Sequence, residues 1–246
     1  MIEVEGLAKR FGKLPVLRRL SLTVPAGEFV ALFGRNGAGK TTFLRILAGL
    51  TRPSSGVCRI GVAGAGDPRR LRGALGYLSH NTALYPDLTA LENLRFYARL
   101  SDAAAEDGDL EGKIAEVGLA GREHEPVRNY SRGMQQRLAI ARAFLHDPAV
   151  LLLDEPFTGL DAAGSGFLKS YLRTCRSRGK TCIMAIHDPA LGYDLADRLV
   201  VIEKGAVGLD LEKAAVSFEE FCVKLGSAAG NRYEQNLGDI PQGPAR

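Results

Sequence analysis

Several short apolar runs punctuate the chain. Phe29–Gly34 reads FVALFG, Val150–Pro156 reads VLLLDEP, Thr181–His187 reads TCIMAIH and Arg198–Gly205 reads RLVVIEKG. Each is apolar without polar alternation and stops at glycine, charge or histidine, the pattern of a strand buried on both faces. Helical spacing lies between them. Phe43, Leu44, Leu47 and Leu50 recur along Lys40–Leu50, and Leu91, Leu94 and Ala98 share a face behind Thr89 and Glu92, which have capping-box spacing. SRGMQQRLAIARAFL is a further amphipathic helix, and FEEFCVKL (Phe218–Leu225) a terminal one. Apolar strands alternating with helices predict a mostly parallel sheet covered on both faces, an α/β fold. Upstream, IEVEGL, LSLTVPAG and GVCRIG alternate in the manner of half-buried strands and predict an antiparallel flank. Residues from about 81 to 143 carry no long strand pattern and are expected to form an inserted helical subdomain. The organisation expected is a single domain over 1–225, followed by a Gly-, Pro- and polar-rich tail over 226–246 that is poorly ordered.

Composition narrows this picture little. The chain has 246 residues, 46% hydrophobic and 24% charged, with a formal net charge of +4. That is ordinary for a globular protein, and the mild basicity suits a polyanion such as a nucleotide or a surface near anionic lipid. The basic residues are scattered without interleaved aromatics, so no nucleic-acid partner is expected. Cys58, Cys175, Cys182 and Cys222 form no C-x-x-C pair, which argues against a zinc or redox motif and for free thiols. The acidic residues of MIEVEGLAKRF do not suit a signal peptide, and no run approaches the roughly 18 apolar residues of a membrane span. A cytoplasmic protein is expected, held at a membrane, if at all, by another chain.

The chemistry lies in the motifs. GRNGAGKT (Gly34–Thr41) matches G-x-x-x-x-G-K-[ST], directly after a predicted strand and at the opening of a predicted helix. Gly34, Gly37 and Gly39 let the backbone of Arg35, Asn36 and Ala38 wrap closely round phosphates, with the helix N-terminus adding positive field. In that arrangement Lys40 reaches the β- and γ-phosphates of a nucleotide, the Thr41 hydroxyl sits on Mg²⁺ and Thr42 adds a phosphate contact. Asp154 ends a buried strand, as a Walker B magnesium partner does, and Glu155 beside it suits the general base for an attacking water.

YSRGMQQR (Tyr130–Arg137) resembles the signature of ABC-type ATPases, which is usually close to L-S-G-G-Q followed by Q-R. Ser131 and Gly133 hold the family residues, while Tyr130, Arg132 and Met134 depart from them. TGLD (Thr158–Asp161) resembles the family's D-loop, AIHD places His187 at its switch-histidine position, and Phe11 in KRFG resembles the aromatic that stacks on adenine. The resemblance covers roughly residues 2–205. It implies a P-loop ATPase working as a head-to-tail dimer, homo- or heteromeric, with two ATP molecules between the copies. Each nucleotide would lie on one P-loop and under Ser131, Arg132, Gly133, Met134 and Asp161 of the other copy, with Lys40, Glu155 and His187 catalytic. The implied partners are separate transmembrane subunits docking at the helical subdomain, on the cytoplasmic face of the membrane. An ABC-type ATPase acting on nucleic acid or ribosomes is the alternative. A P-loop kinase or GTPase is disfavoured by the signature segment and Glu155.

YLSHNTALYPDLTALENLRFYARL resembles the corresponding segment of the cytochrome c maturation, or heme exporter, ATPases, with generic ABC-2-type or multidrug exporters as the alternative. Both readings make the protein an export ATPase. His80 stands where family members place glutamine and is a candidate Mg²⁺ contact, directly or through water. His124, His146 and the arginines among 69–72 are expected on the surface.

Overall fold

The computed structural model describes residues 1–61, 73–79, 81–100 and 106–229. Its centre is a six-stranded sheet built on the expected apolar runs: β3 (Phe29–Phe33), β6 (Val150–Asp154), β7 (Thr181–Ala185) and β8 (Arg198–Glu203). With β5 (Leu75–Leu78) these strands are parallel, and β9 (Ala206–Glu212) closes the edge antiparallel to β8, giving the order β5-β6-β7-β3-β8-β9. Alternate residues of each strand enter two different cores. Phe29, Ala31, Phe33, Leu151, Leu153 and Met184 face one, while Val30, Leu32, Val150, Leu152 and Ile183 face the other. Burial on both faces is why these strands read as unbroken apolar runs.

The antiparallel flank is a three-stranded sheet, β2-β1-β4, made of β1 (Ile2–Phe11), β2 (Leu14–Val24) and β4 (Ser55–Ile60). It is tied to the central sheet by Arg18 N–H on Gly205 O at 2.7 Å and by Arg198 Nη1 on Thr23 O at 2.9 Å.

Helix α1 (Lys40–Leu47) follows β3. Between β5 and β6 lie α2 (Ala90–Leu100), α3 (Asp107–Glu116) and α4 (Arg132–Ala143), whose apolar faces share one core through Leu94, Leu110, Ile114 and Leu138. Thr89 and Glu92 make the reciprocal capping bonds their spacing predicts, at 2.8 and 3.2 Å. Helix α5 (Ala162–Ser177) precedes β7, α6 (Pro189–Leu195) precedes β8, and α7 (Phe218–Ala229) packs Phe221 on Phe33 at 5.1 Å.

Several expectations change. The strand β9 was not anticipated, although Leu209 and Leu211 alternate with the exposed Gly208, Asp210 and Glu212. The helix after the glycine-rich loop ends at Leu47 rather than Leu50, since Gly49 turns with φ 71°, and Leu50 is exposed. Helix α7 runs on to Ala229, past the expected tail boundary at 225; the rest of that tail, from 230, lies outside the described residues, as do His80 and the arginines among 69–72. His146 is half-buried, not a surface residue: its Nε2 lies 3.2 Å from Leu75 O, and burial holds its pKa below the ordinary value. All four cysteines are free thiols. Among the described residues, no helix is long and apolar enough to cross a membrane.

Candidate active site

The parallel register brings the C-terminal ends of β3, β6 and β7 side by side, the edge where open α/β sheets hold ligands. The glycine-rich loop leaves β3 here. Gly34, Gly37 and Gly39 have φ of 141°, 79° and 109°, backbone that L side chains rarely adopt. Two of them also need the space. A methyl group on Gly34 would run into Ile202 O, and one on Gly39 would lie 2.6 Å from Leu17 Cδ2. Ala38 N–H closes the turn on Arg35 O at 3.0 Å, and Phe43 N–H bonds Gly39 O at 2.8 Å as α1 begins. Arg35, Asn36, Gly37 and Thr41 are exposed, and Thr42 is half-buried. No side chain caps the N-terminus of α1, which leaves its positive end open to an anion.

Lys40 is buried beneath the loop. Its Nζ donates to Gly34 O at 2.6 Å and to Arg35 O at 3.3 Å. Burial lowers the ammonium's pKa, opposed by the negative charge of Glu155 and Asp154. Those carboxylates therefore share an electrostatic neighbourhood with the loop, although they lie more than a hundred residues along the chain.

Asp154 is 1% exposed at the end of β6. Glu155 follows it at φ 53°, a left-handed conformation that is uncommon without glycine. The strained residue is fixed from several directions: its N–H bonds Ala185 O at 3.0 Å, its carbonyl accepts Thr158 N–H at 3.1 Å, and Thr158 Oγ1 donates to Oε2 at 3.4 Å. His187 Nε2 lies 2.6 Å from Glu155 Oε1. This turn swings the carboxylate out of the sheet toward His187, just beyond β7. Strain of this kind costs about 1–3 kcal/mol and persists where the surroundings over-determine it. Thr41 and Asp154 supply hard oxygen donors, one exposed and one buried, a set that fits Mg²⁺ when nucleotide phosphates complete the shell.

The signature segment forms the N-terminus of α4. Ser131 is its N-cap, with Oγ accepting Met134 N–H at 3.3 Å. Its departures from the usual motif have local reasons. Tyr130 buries its ring to 5% exposure and donates its hydroxyl to Arg122 O at 2.7 Å, so it fills an apolar position and satisfies its polar end; burial pushes its pKa up to about 12. Met134 packs on the core, while Arg132 stays exposed beside Gly159. Gly133 approaches Gly159 so closely that a methyl group on it would lie 3.2 Å from Gly159 O. Asp161 caps α5 by accepting Gly164 N–H at 2.8 Å and pairs with Arg137 Nη2 at 2.5 Å; those bonds hold its carboxyl below the usual range. Asn81, Thr82, Arg132, Gln135, Gln136, Glu155 and Thr158 line one cleft of about 380 Å³ between α4 and the end of β6.

Sequence reasoning overlooked Thr158 as a support of Glu155, and Gln136, whose Nε2 donates to Pro156 O at 3.3 Å and ties α4 to that turn. Both lie inside quoted motifs, so adjacency was the available signal. Ala185 acts through its carbonyl, and no side chain announces it. Phe11 is 53% exposed at the end of β1, with Lys9 Nζ 4.8 Å from the ring centroid.

Known proteins resemble this chain in sequence and in fold. The family model described as "ABC transporter" matches residues 17–158. The "Uncharacterized ABC transporter ATP-binding protein YdbJ" of Bacillus subtilis (strain 168) is 34% identical over 250 residues, spanning 97% of this chain and 81% of that protein. The "Aliphatic sulfonates import ATP-binding protein SsuB 2" of Pseudomonas aeruginosa (strain UCBPP-PA14) is 37% identical, over 85% of this chain and 74% of its own. Among solved structures, the dimeric post-hydrolysis state of the ATP-binding cassette MJ0796 bound to ADP and Pi superposes with a TM-score of 0.77 at 26% identity, covering 87% of this chain and 99% of that one. With a glycine-rich loop, a buried carboxylate at the end of β6 and a Ser131-capped helix in one α/β cassette, and with these relatives, the chain belongs to the ABC transporter family and is an ATPase.

Proposed function

We propose that this protein is the ATP-hydrolysing subunit of a transporter whose membrane-spanning parts are separate chains, and that it works as a head-to-tail dimer. The observation that carries the proposal is the Glu155–His187 pair, held at 2.6 Å beside the phosphate loop by the backbone of β6 and β7. The loop from Gly34 to Gly39 and the open N-terminus of α1 bind the phosphates. Lys40 re-aims its ammonium from the Gly34 and Arg35 carbonyls toward the β- and γ-phosphates. Thr42 adds a hydroxyl. Thr41 and Asp154 hold Mg²⁺, which supplies charge neutralisation to the phosphates when bound. Glu155 takes the proton of the attacking water, and His187 and Thr158 hold its carboxylate in place.

Ser131, Arg132, Gly133 and Met134 open a helix whose N-terminus makes an anion site. With Asp161 they are assigned to the nucleotide on the partner copy's phosphate loop; the similar cassette MJ0796 is dimeric and bound to ADP and Pi. The α2 region exposes Tyr85, Phe96 and Leu100, an apolar surface suited to a membrane subunit. Such an assembly sits at the cytoplasmic face of the membrane. The expectation of heme as cargo rests on the segment around residues 77–100, and for direction the relatives divide: the sulfonate protein is named for import, and a Nod factor protein of Ralstonia nicotianae, 38% identical, for export.

The test is Glu155→Gln. The amide keeps the shape and loses the base, so ATP binds and turnover stops. Light scattering with ATP is expected to show a trapped dimer for the variant and a monomer for the parent after turnover. A variant that stays monomeric, or hydrolyses ATP normally, refutes the assignment.

A further inference from the structure

We propose that Lys9 is a positioning residue for the nucleotide base. It backs the Phe11 ring on one face, so that the base stacks on the other. The inference rests on the reading of Phe11 as the base platform and extends it. Phe11 is more than half exposed at the tip of the β1–β2 hairpin, and an aromatic ring there has little packing to hold it. Lys9 supplies what packing does not. Its Nζ lies 4.8 Å from the ring centroid, within cation–π range. The ammonium is itself anchored, donating to Arg52 O at 2.8 Å.

The hairpin places this pair beside the phosphate loop. Lys9 is the cross-strand partner of Leu17, and Leu17 Cδ2 is the atom nearest to a methyl group built on Gly39. Residues directly opposite each other in an antiparallel pair project to the same face. Lys9 therefore projects from the side of the hairpin that Leu17 presents to the phosphate loop.

Two consequences follow for a bound nucleotide. Lys9 blocks one ring face, which leaves a single face for stacking and fixes where the base lies relative to the loop. The cation also draws the ring's π-density toward itself, so the free face is less negative and stacks better on an electron-rich purine. Lys9 would thus favour ATP over a pyrimidine triphosphate, while leaving the hold on the phosphates unchanged.

The experiment measures dissociation constants of the full chain for ATP, CTP and inorganic tripolyphosphate by titration calorimetry, for the parent, Lys9→Met, Lys9→Arg and Phe11→Ala. Lys9→Met keeps an unbranched apolar side chain and removes the charge. It is expected to weaken ATP about two- to fivefold, to narrow the ratio of CTP to ATP constants, and to leave tripolyphosphate unchanged. Lys9→Arg, which restores a cation over the ring, is expected to recover the ratio, and adding Lys9→Met to Phe11→Ala is expected to change nothing further. Equal losses for ATP and tripolyphosphate, or no loss at all, overturn the proposal. If instead Phe11→Ala leaves ATP binding intact, it is the base-platform reading that has failed. Thermal melts of each variant separate these outcomes from loss of fold.

Discussion

Gly39→Ala tests the packing of the phosphate loop most directly. Gly39 has φ 109°, and a methyl group there would lie 2.6 Å from Leu17 Cδ2 and 3.2 Å from Val16 O. Two costs add. Holding a non-glycine residue in that backbone conformation costs about 1–3 kcal/mol, and overpacking against Leu17, which is 1% exposed, costs about 1–3 kcal/mol more. The sum, about 2–6 kcal/mol, is a large part of the roughly 5–15 kcal/mol that holds a typical domain together. The two costs separate in a double-mutant cycle. Leu17→Val removes the clashing methyl and suits a strand, so it relieves the steric part and leaves the backbone part. Urea denaturation followed by circular dichroism is expected to show Gly39→Ala/Leu17→Val less destabilised than the sum of the single variants by about 1 kcal/mol or more. Additivity within about 0.5 kcal/mol would refute the idea that Gly39 exists to admit Leu17. ATP affinity, measured alongside, is expected to fall in Gly39→Ala, because the strained backbone and the contact with Val16 O displace the loop.

Three more expectations come from the same geometry. His187→Ala removes the 2.6 Å partner of Glu155; loss of a charge-assisted hydrogen bond predicts a kcat about 10- to 100-fold lower with ATP affinity kept, checked by phosphate release and calorimetry. Tyr130→Phe removes the hydroxyl's bond to Arg122 O, which keeps its second donor, Glu125 N–H at 3.1 Å, and is expected to cost about 1 kcal/mol or less in urea denaturation, with little change in kcat. His146 has its pKa lowered by burial, so the unfolded chain takes up its proton first as pH falls. Stability is therefore full above the ordinary histidine pKa and is lost as pH drops from there toward the lowered folded value; melting curves from pH 7.5 to 5.5 are expected to fall less steeply for His146→Gln.

The sequence by itself determined a good deal. Buried strands β3, β6, β7 and β8 were legible because both faces are covered, and coverage of both faces leaves no polar alternation to confuse the reading. The glycine-rich turn after β3 was legible because its backbone needs glycine at fixed short spacing, and the antiparallel flank because alternation marks a half-buried sheet. Strand β9 was not, since its alternation spans only Gly208–Glu212 and its place depends on pairing with β8, and the contact of His146 with Leu75 O joins residues distant in sequence.

What only the tertiary structure decided is how the pieces meet. Parallel pairing of β6, β7 and β3 carries Glu155 and His187 to the edge where Lys40 is buried. The Ala185 carbonyl pins Glu155 in a left-handed turn, and hairpin register sets Lys9 across from Leu17 beside Gly39. The physical reason is common to all of these. Hydrophobic period and turn chemistry are local properties that a few neighbouring residues express. Hydrogen bonds to backbone carbonyls and the approach of remote strands depend on register, which no single segment encodes.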